Sequence, residues 1–198
     1  MTGPGNIIPQ LLPGELLFVC GKRGSGKSTY LNYAIRLQQG FASKALFDPL
    51  DEHGILLEHG WTRPALIPGL SRSRKLLLRP DSGAPVLDRF PAALALCRKL
   101  PRPLIFGIDE VDKLCSPRMI SASLQDCIEY GRHYGQGIIC ATRRPSQVHR
   151  SITANADYIA VFATTEPGDR DALESYGIEP ENIPLDKDNH ICYLKSYK

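Results

Sequence analysis

No stretch of this 198-residue chain is apolar for long enough to cross a membrane. The longest apolar runs, Pro103–Ile108 and Tyr158–Ala163, fall far short of the roughly 20 residues that a spanning helix needs. The opening Met-Thr-Gly-Pro-Gly-Asn has neither a basic segment nor an apolar core, so no secretory signal is expected and a cytoplasmic location is. A strong charge of either sign is also missing: 24 Lys and Arg face 21 Asp and Glu, a net charge of +3. That balance neither demands nor excludes a nucleic-acid partner. The six cysteines contain no C-x-x-C pair, which argues against a zinc or dithiol redox site. Most lie in apolar stretches such as Leu-Phe-Val-Cys20 and Ile-Ile-Cys140, the setting of small buried hydrophobes in a reducing compartment. Internal repeats, low-complexity segments and an evident linker are absent, so residues 1–198 are expected to form a single domain.

What the chain does contain is an ordinary globular composition, 42% apolar and 23% charged, arranged in alternating strand and helix patterns. Short apolar runs predict strands at Glu15–Cys20, Ala45–Phe47, Lys75–Arg79, Leu104–Ile108, Gly137–Ala141, Tyr158–Ala163 and His190–Leu194. Helical spacing falls at Lys27–Gln39, Val86–Leu100, Ile120–Gly131 and Asp169–Tyr176. Pro91 predicts a late start or a kink in the second of these helices. Residues 51–73 have no period and read as irregular. Near-continuous apolar strands alternating with helices predict an α/β fold, with a mainly parallel central sheet covered by helices on both faces.

Between the first strand and the first helix lies Gly21-Lys22-Arg23-Gly24-Ser25-Gly26-Lys27-Ser28, which fits G-x-x-x-x-G-K-[ST] without a mismatch. Glycines let such a loop wrap tightly, so that successive backbone N–H groups face phosphate oxygens. The helix that follows adds its N-terminal dipole and its unpaired donors. Gly21, Lys22, Arg23, Gly24, Ser25, Gly26, Lys27, Ser28 and the adjoining Thr29 are therefore the candidate nucleotide-binding residues. Lys27 is placed to reach the β and γ phosphates of ATP, and the Ser28 hydroxyl to ligate Mg²⁺.

The strand Leu104–Ile108 runs directly into Asp109-Glu110. An apolar strand ending in two carboxylates is the Walker B arrangement of nucleotide hydrolases. Asp109 is then the Mg²⁺ residue, and Glu110 the base that polarises the attacking water. The alternative is a helix N-terminus, which Asp109, Glu110 and Asp112 would also suit.

Asp48-Pro49, Asp109-Glu110, Gly131-Arg132-His133-Tyr134-Gly135, Ile138–Ser146, Val148 and the segment Ile152–Asp157 together resemble the FtsK–HerA superfamily of DNA-pumping P-loop ATPases. The matching segments span roughly residues 15–165. The resemblance implies a RecA-like core, with the strand bearing the catalytic Glu lying between the phosphate-loop strand and its neighbours. It also implies a homo-oligomeric ring, usually a hexamer, around double-stranded DNA. In size and layout the chain is closest to the genome-packaging ATPases of membrane-containing viruses, which implies a capsid or portal protein as a further partner. A nucleotide-dependent assembly or secretion ATPase that acts on protein partners is the alternative.

The same resemblance assigns three more catalytic candidates. The family often carries Ala-Thr-Gln-Arg-Pro after the fourth strand, its Gln sensing the γ-phosphate; here Ala141-Thr142-Arg143-Arg144-Pro145 puts Arg143 at that place. An arginine donates well to phosphate, and Thr142 is the competing sensor. Arg132 stands where the family supplies an arginine finger to the neighbouring subunit. Basic residues expected to meet DNA phosphates cluster at Arg72-Ser-Arg74-Lys75, at Arg98-Lys99 with Arg102, and at Arg143-Arg144 with His149-Arg150.

Overall fold

The computed structural model describes residues 7–64, 74–79 and 84–198. Its elements follow the alternation of the sequence. They are β1 (Leu16–Cys20), α1 (Lys27–Leu37), β2 (Ser43–Phe47), the one-turn α2 (Ile55–Glu58), β3 (Lys75–Leu78), α3 (Val86–Arg98) and β4 (Leu104–Ile108). A two-stranded hairpin, β5 (Cys115–Ser116) and β6 (Met119–Ile120), precedes α4 (Ala122–Tyr130). Then come β7 (Gln136–Thr142), α5 (Arg150–Ala154), β8 (Tyr158–Val161), α6 (Pro167–Ser175) and β9 (Tyr193–Ser196).

Seven strands form one sheet in the order β3-β2-β4-β7-β1-β8-β9. Every neighbouring pair is parallel except β8 and β9. Period-two alternation divides the strand side chains between two cores. Leu16, Phe18, Phe106 and Cys140 face the layer built from α3, α4, α5 and α6. Leu17, Val19, Ile105 and Ile139 face α1, whose Leu31, Ala34 and Ile35 are fully buried against them. Gly107 sets how near α1 can come: a Cβ there would sit 2.6 Å from Leu46 Cδ1 and 3.0 Å from Ile35 Cδ1.

Three expectations need revision. Pro91 neither delays nor divides α3, which runs unbroken from Val86. The last strand begins at Tyr193, not His190, and is antiparallel. The strand that carries Glu110 is not next to the phosphate-loop strand, because β7 lies between β4 and β1. Within the segment that reads as irregular, α2 forms and Thr62 pairs in parallel with Leu76; residues 65–73 lie outside the described residues, and Arg72 with them.

The parallel register brings Cys20 level with Thr142 and Val161, and Phe47 level with Ile108. Four loops therefore leave the sheet at one edge, those after β1, β2, β4 and β7. In open α/β sheets this carboxyl edge is where ligands bind.

Candidate nucleotide site

The phosphate loop is shaped by its glycines. Gly21 has φ 145°, and a Cβ there would lie 2.6 Å from Phe162 Cβ. Gly26, the residue before α1, has φ 100° in the left-handed region, which L side chains rarely adopt. The Ser25 N–H and hydroxyl both donate to the Lys22 carbonyl, at 3.3 and 2.8 Å. Lys27 Nζ donates to the same carbonyl at 3.1 Å and is largely buried. Burial lowers its pKa, Arg143 lowers it further, and Asp109 and Glu110 oppose the change. An ammonium held in this way is poorly solvated and is stabilised by an incoming anion. Ser28 is half-buried and Thr29 exposed on the first turn of α1.

Asp109 and Glu110 leave β4 almost fully buried, at 3% and 5% exposure. Glu110 sits at φ 50°, a left-handed conformation that costs a non-glycine residue about 1 kcal/mol or more. Asp109 Oδ1 accepts the Glu110 N–H at 2.9 Å, and Asp109 Oδ2 lies 2.8 Å from His53 Nε2. Burial raises the Glu110 pKa and Asp109 raises it further, while Arg143 works the other way. The two carboxylates therefore have different surroundings. Asp109 is anchored on both oxygens, and Glu110 is held by a single arginine.

That arginine is Arg143. Its Nε lies 2.6 Å from Glu110 Oε1, and its Nη2 donates to Glu52 Oε1 at 2.9 Å. It lies between the two carboxylates. Thr142 is buried and otherwise engaged: its hydroxyl donates to Asp112 at 2.7 Å and accepts the Arg144 N–H at 3.1 Å. Thr142 thus braces the end of β7 against the turn after Glu110. Arg144 Nε donates to the buried Asp169 at 2.8 Å, and Asp169 also accepts from the Ser146 N–H and hydroxyl. Hence Arg143 and Arg144 are both paired with carboxylates, with half of the Arg144 side chain still exposed. His149 caps α5 by accepting the Ser151 N–H.

Sequence reasoning missed the contribution of the turn after β2. Asp48 is fully buried, and its two oxygens accept the N–H groups of Glu52 and His53, each at 3.0 Å. This clamp aims His53 at Asp109 and Glu52 at Arg143. His53 is completely buried, with Nδ1 2.7 Å from Asn32 Oδ1. Both ring nitrogens thus face oxygen acceptors, the pattern of an imidazolium donating twice. Burial works against that charge, but the Asp109 hydrogen bond, with Asp48 and Glu52 nearby, raises the His53 pKa overall. Asp48-Pro49 was the one signal pointing here, and it spoke for the strand end rather than for the residues beyond it.

Arg132 lies elsewhere. It follows α4 and packs on Gly14, just ahead of β1; a Cβ on Gly14 would lie 2.7 Å from Arg132 Cγ. The phosphate loop begins beyond the far end of β1, about 17 Å of strand away at 3.3 Å per residue. Arg132 is exposed on the amino edge of the sheet and does not reach the phosphate loop of its own chain.

Among the described residues, no group of three or more His, Cys, Asp and Glu could hold a metal ion. The Ser28 hydroxyl and the Asp109 carboxylate are hard oxygen donors too few for an all-protein cage. Both Asp109 oxygens are already engaged, by the Glu110 N–H and by His53, so a Mg²⁺ ion held here would keep several of its waters and take phosphate oxygens from its substrate.

No family model matches the chain, and no curated protein does. Solved structures do. The genome packaging NTPase B204 of Sulfolobus turreted icosahedral virus 2, in complex with ATPγS, superimposes with a TM-score of 0.68, covering 93% of this chain and 98% of B204 at 19% identity. The same protein with AMP gives a TM-score of 0.70 at 17% identity, with the same coverage. EssC (ATPases 2 and 3) from Geobacillus thermodenitrificans gives 0.66 at 14% identity, covering 96% of this chain and 39% of EssC. At such identities the likeness is one of fold, and the chain has the RecA-like α/β fold of P-loop NTPases. No helix among the described residues is long and apolar enough to cross a membrane.

Proposed function

We propose that this chain is an ATP hydrolase that assembles as a ring and couples turnover to movement of double-stranded DNA, as in the packaging of a viral genome. One observation carries the hydrolase reading: a buried carboxylate, Glu110, stands at the same carboxyl edge as the phosphate loop and is touched by a cation, Arg143, from the loop after the intervening strand β7. The loop of residues 21–29 receives the phosphates on its N–H groups, and Lys27 exchanges the Lys22 carbonyl for a β or γ oxygen. Ser28 and Asp109 would hold a magnesium ion, which would supply neutralisation of phosphate charge. Glu110 takes the proton of the attacking water. Arg143 meets the γ-phosphate, the sensing role left open by Thr142's bond to Asp112.

The DNA-moving part of the proposal rests on the family resemblance and on the shared fold with B204, a genome packaging NTPase. It is supported by basic side chains at the amino edge, where Arg74, Lys75, Arg98 and Lys99 are exposed. The position of Arg132, far from its own phosphate loop, suits a finger given to a neighbouring subunit in a ring, and a capsid or portal protein is the further partner of this reading. ATP turnover measured with and without double-stranded DNA tests this reading. Wild-type protein is expected to hydrolyse ATP faster with DNA, and Lys27→Ala to hydrolyse none. Turnover that responds only to a capsid or membrane protein, and never to DNA, would favour the assembly-ATPase alternative.

A further inference from the structure

Three charged groups meet in a row at the mouth of the site: Glu52, Arg143 and Glu110. The two outer ones differ in kind. Glu110 is buried and sits on a strained backbone, whereas the Glu52 side chain is 37% exposed and extends from a turn clamped by Asp48. One guanidinium spans them, with Nε on Glu110 and Nη2 on Glu52. While Arg143 holds Glu110, a guanidinium nitrogen stands 2.6 Å from Oε1, and its positive charge makes the carboxylate a weaker base. The base is masked. An arriving γ-phosphate brings more negative charge than Glu110 carries and competes for the same guanidinium.

We propose that Glu52 is a positioning residue for Arg143: it retains the guanidinium by Nη2 while Nε passes from Glu110 to the γ-phosphate, so that binding of a triphosphate unmasks the base. This rests on the reading of the site as an ATP site. No covalent step is involved; the ion pair of Arg143 with Glu110 is exchanged for one with the γ-phosphate. A diphosphate offers nothing at the γ position and leaves Glu110 covered. The arrangement links hydrolytic competence to the presence of substrate through a turn, residues 48–53, that touches both carboxylates of the site, Asp109 through His53 and Glu110 through Arg143.

Simple electrostatics and positioning predict opposite results for one substitution. Removing the Glu52 charge takes an anion away from a site for anions, which by charge alone tightens ATPγS binding. If Glu52 positions Arg143, its removal instead weakens ATPγS relative to ADP. The experiment is calorimetric titration of the full chain with ATPγS and with ADP, both in magnesium buffer, with thermal unfolding to establish that each variant is folded. Wild type is expected to prefer ATPγS. Glu52→Ala should lower that preference about fivefold or more, the scale of one charge-assisted hydrogen bond, with ADP affinity little changed. Glu52→Gln keeps an oxygen for Nη2 and should restore most of the preference. In an Arg143→Ala background, Glu52→Ala should have no further effect. A preference that is unchanged or increased in Glu52→Ala overturns the proposal, as does an equal loss in the Arg143→Ala background. Wild-type protein that binds neither nucleotide overturns the nucleotide site itself. ATPγS and ADP affinities that are both unmoved by Lys27→Ala do the same while leaving the folded turn intact.

Discussion

The two edges of the sheet carry similar residues and treat them differently. At the carboxyl edge the charged groups of the site are held by other parts of the chain: Lys27 by the Lys22 carbonyl, Asp109 by His53, Glu110 and Glu52 by Arg143, and Arg144 by Asp169. At the amino edge, Arg74, Lys75, Arg98, Lys99 and Arg132 are exposed. Arg98 pairs with the half-exposed Asp126 and lies 4.8 Å over the Tyr134 ring, while Arg132 rests on Gly14. The difference lies in desolvation. Buried charges keep their full interaction and must be paired, so the carboxyl edge is preorganised. Exposed charges are screened and individually weak, so the amino edge is suited to a surface that grips without fixing register.

If that contrast is right, substitutions at the carboxyl edge should have large effects on chemistry. Glu110→Gln is expected to keep nucleotide binding and lower kcat by about 100-fold or more, as loss of a general base does, measured by steady-state turnover beside ATPγS titration. The pH profile sharpens the same point. Burial and Asp109 hold Glu110 above the usual carboxylate range, and the group works only when deprotonated. Activity should therefore fall as pH drops through a limb above the ordinary glutamate pKa of about 4.3, and Glu110→Gln should abolish that limb. Because the pKa is raised, protonation of Glu110 favours the folded state, so the loss on acidification is of activity and not of stability at this residue.

Arg132→Ala asks whether the amino edge contributes chemistry through a neighbour. The variant is expected to bind ATP normally and to hydrolyse it at least about tenfold more slowly, since only the transition state uses the added cation. Mixed with Lys27→Ala protein it should regain turnover, because an intact phosphate loop then meets an intact Arg132 from the next subunit. Absence of rescue, with light scattering showing that the two variants co-assemble, would place Arg132 outside the chemistry.

Smaller effects bear on stability. Asp48→Ala leaves the Glu52 and His53 N–H groups without their acceptor and should destabilise the protein by about 1–3 kcal/mol, measured by denaturant unfolding. Arg98→Ala at the amino edge breaks an exposed pair with Asp126 and should cost under about 1 kcal/mol by the same measurement. A large loss from Arg98→Ala, or none from Asp48→Ala, would erase the distinction between the edges.

Much of this was legible in the chain itself, because local rules decide it. The apolar runs marked β1, β4 and β7 to within a residue or so, as burial on both faces of a parallel sheet leaves little choice of residue. The glycines and Lys27 marked the phosphate loop because few sequences satisfy that backbone. Asp109 and Glu110 were visible as carboxylates at the end of an apolar strand. Strand order, however, depends on long-range pairing, and so the insertion of β7 between β4 and β1 appeared only in the folded chain. The partners of the charges were hidden for the same reason. Glu52 and Arg143 are 91 residues apart, and His53 and Asp109 are 56 apart. No periodicity connects such residues. They meet because parallel strands release their loops at one edge, and burial there requires that each charge find another.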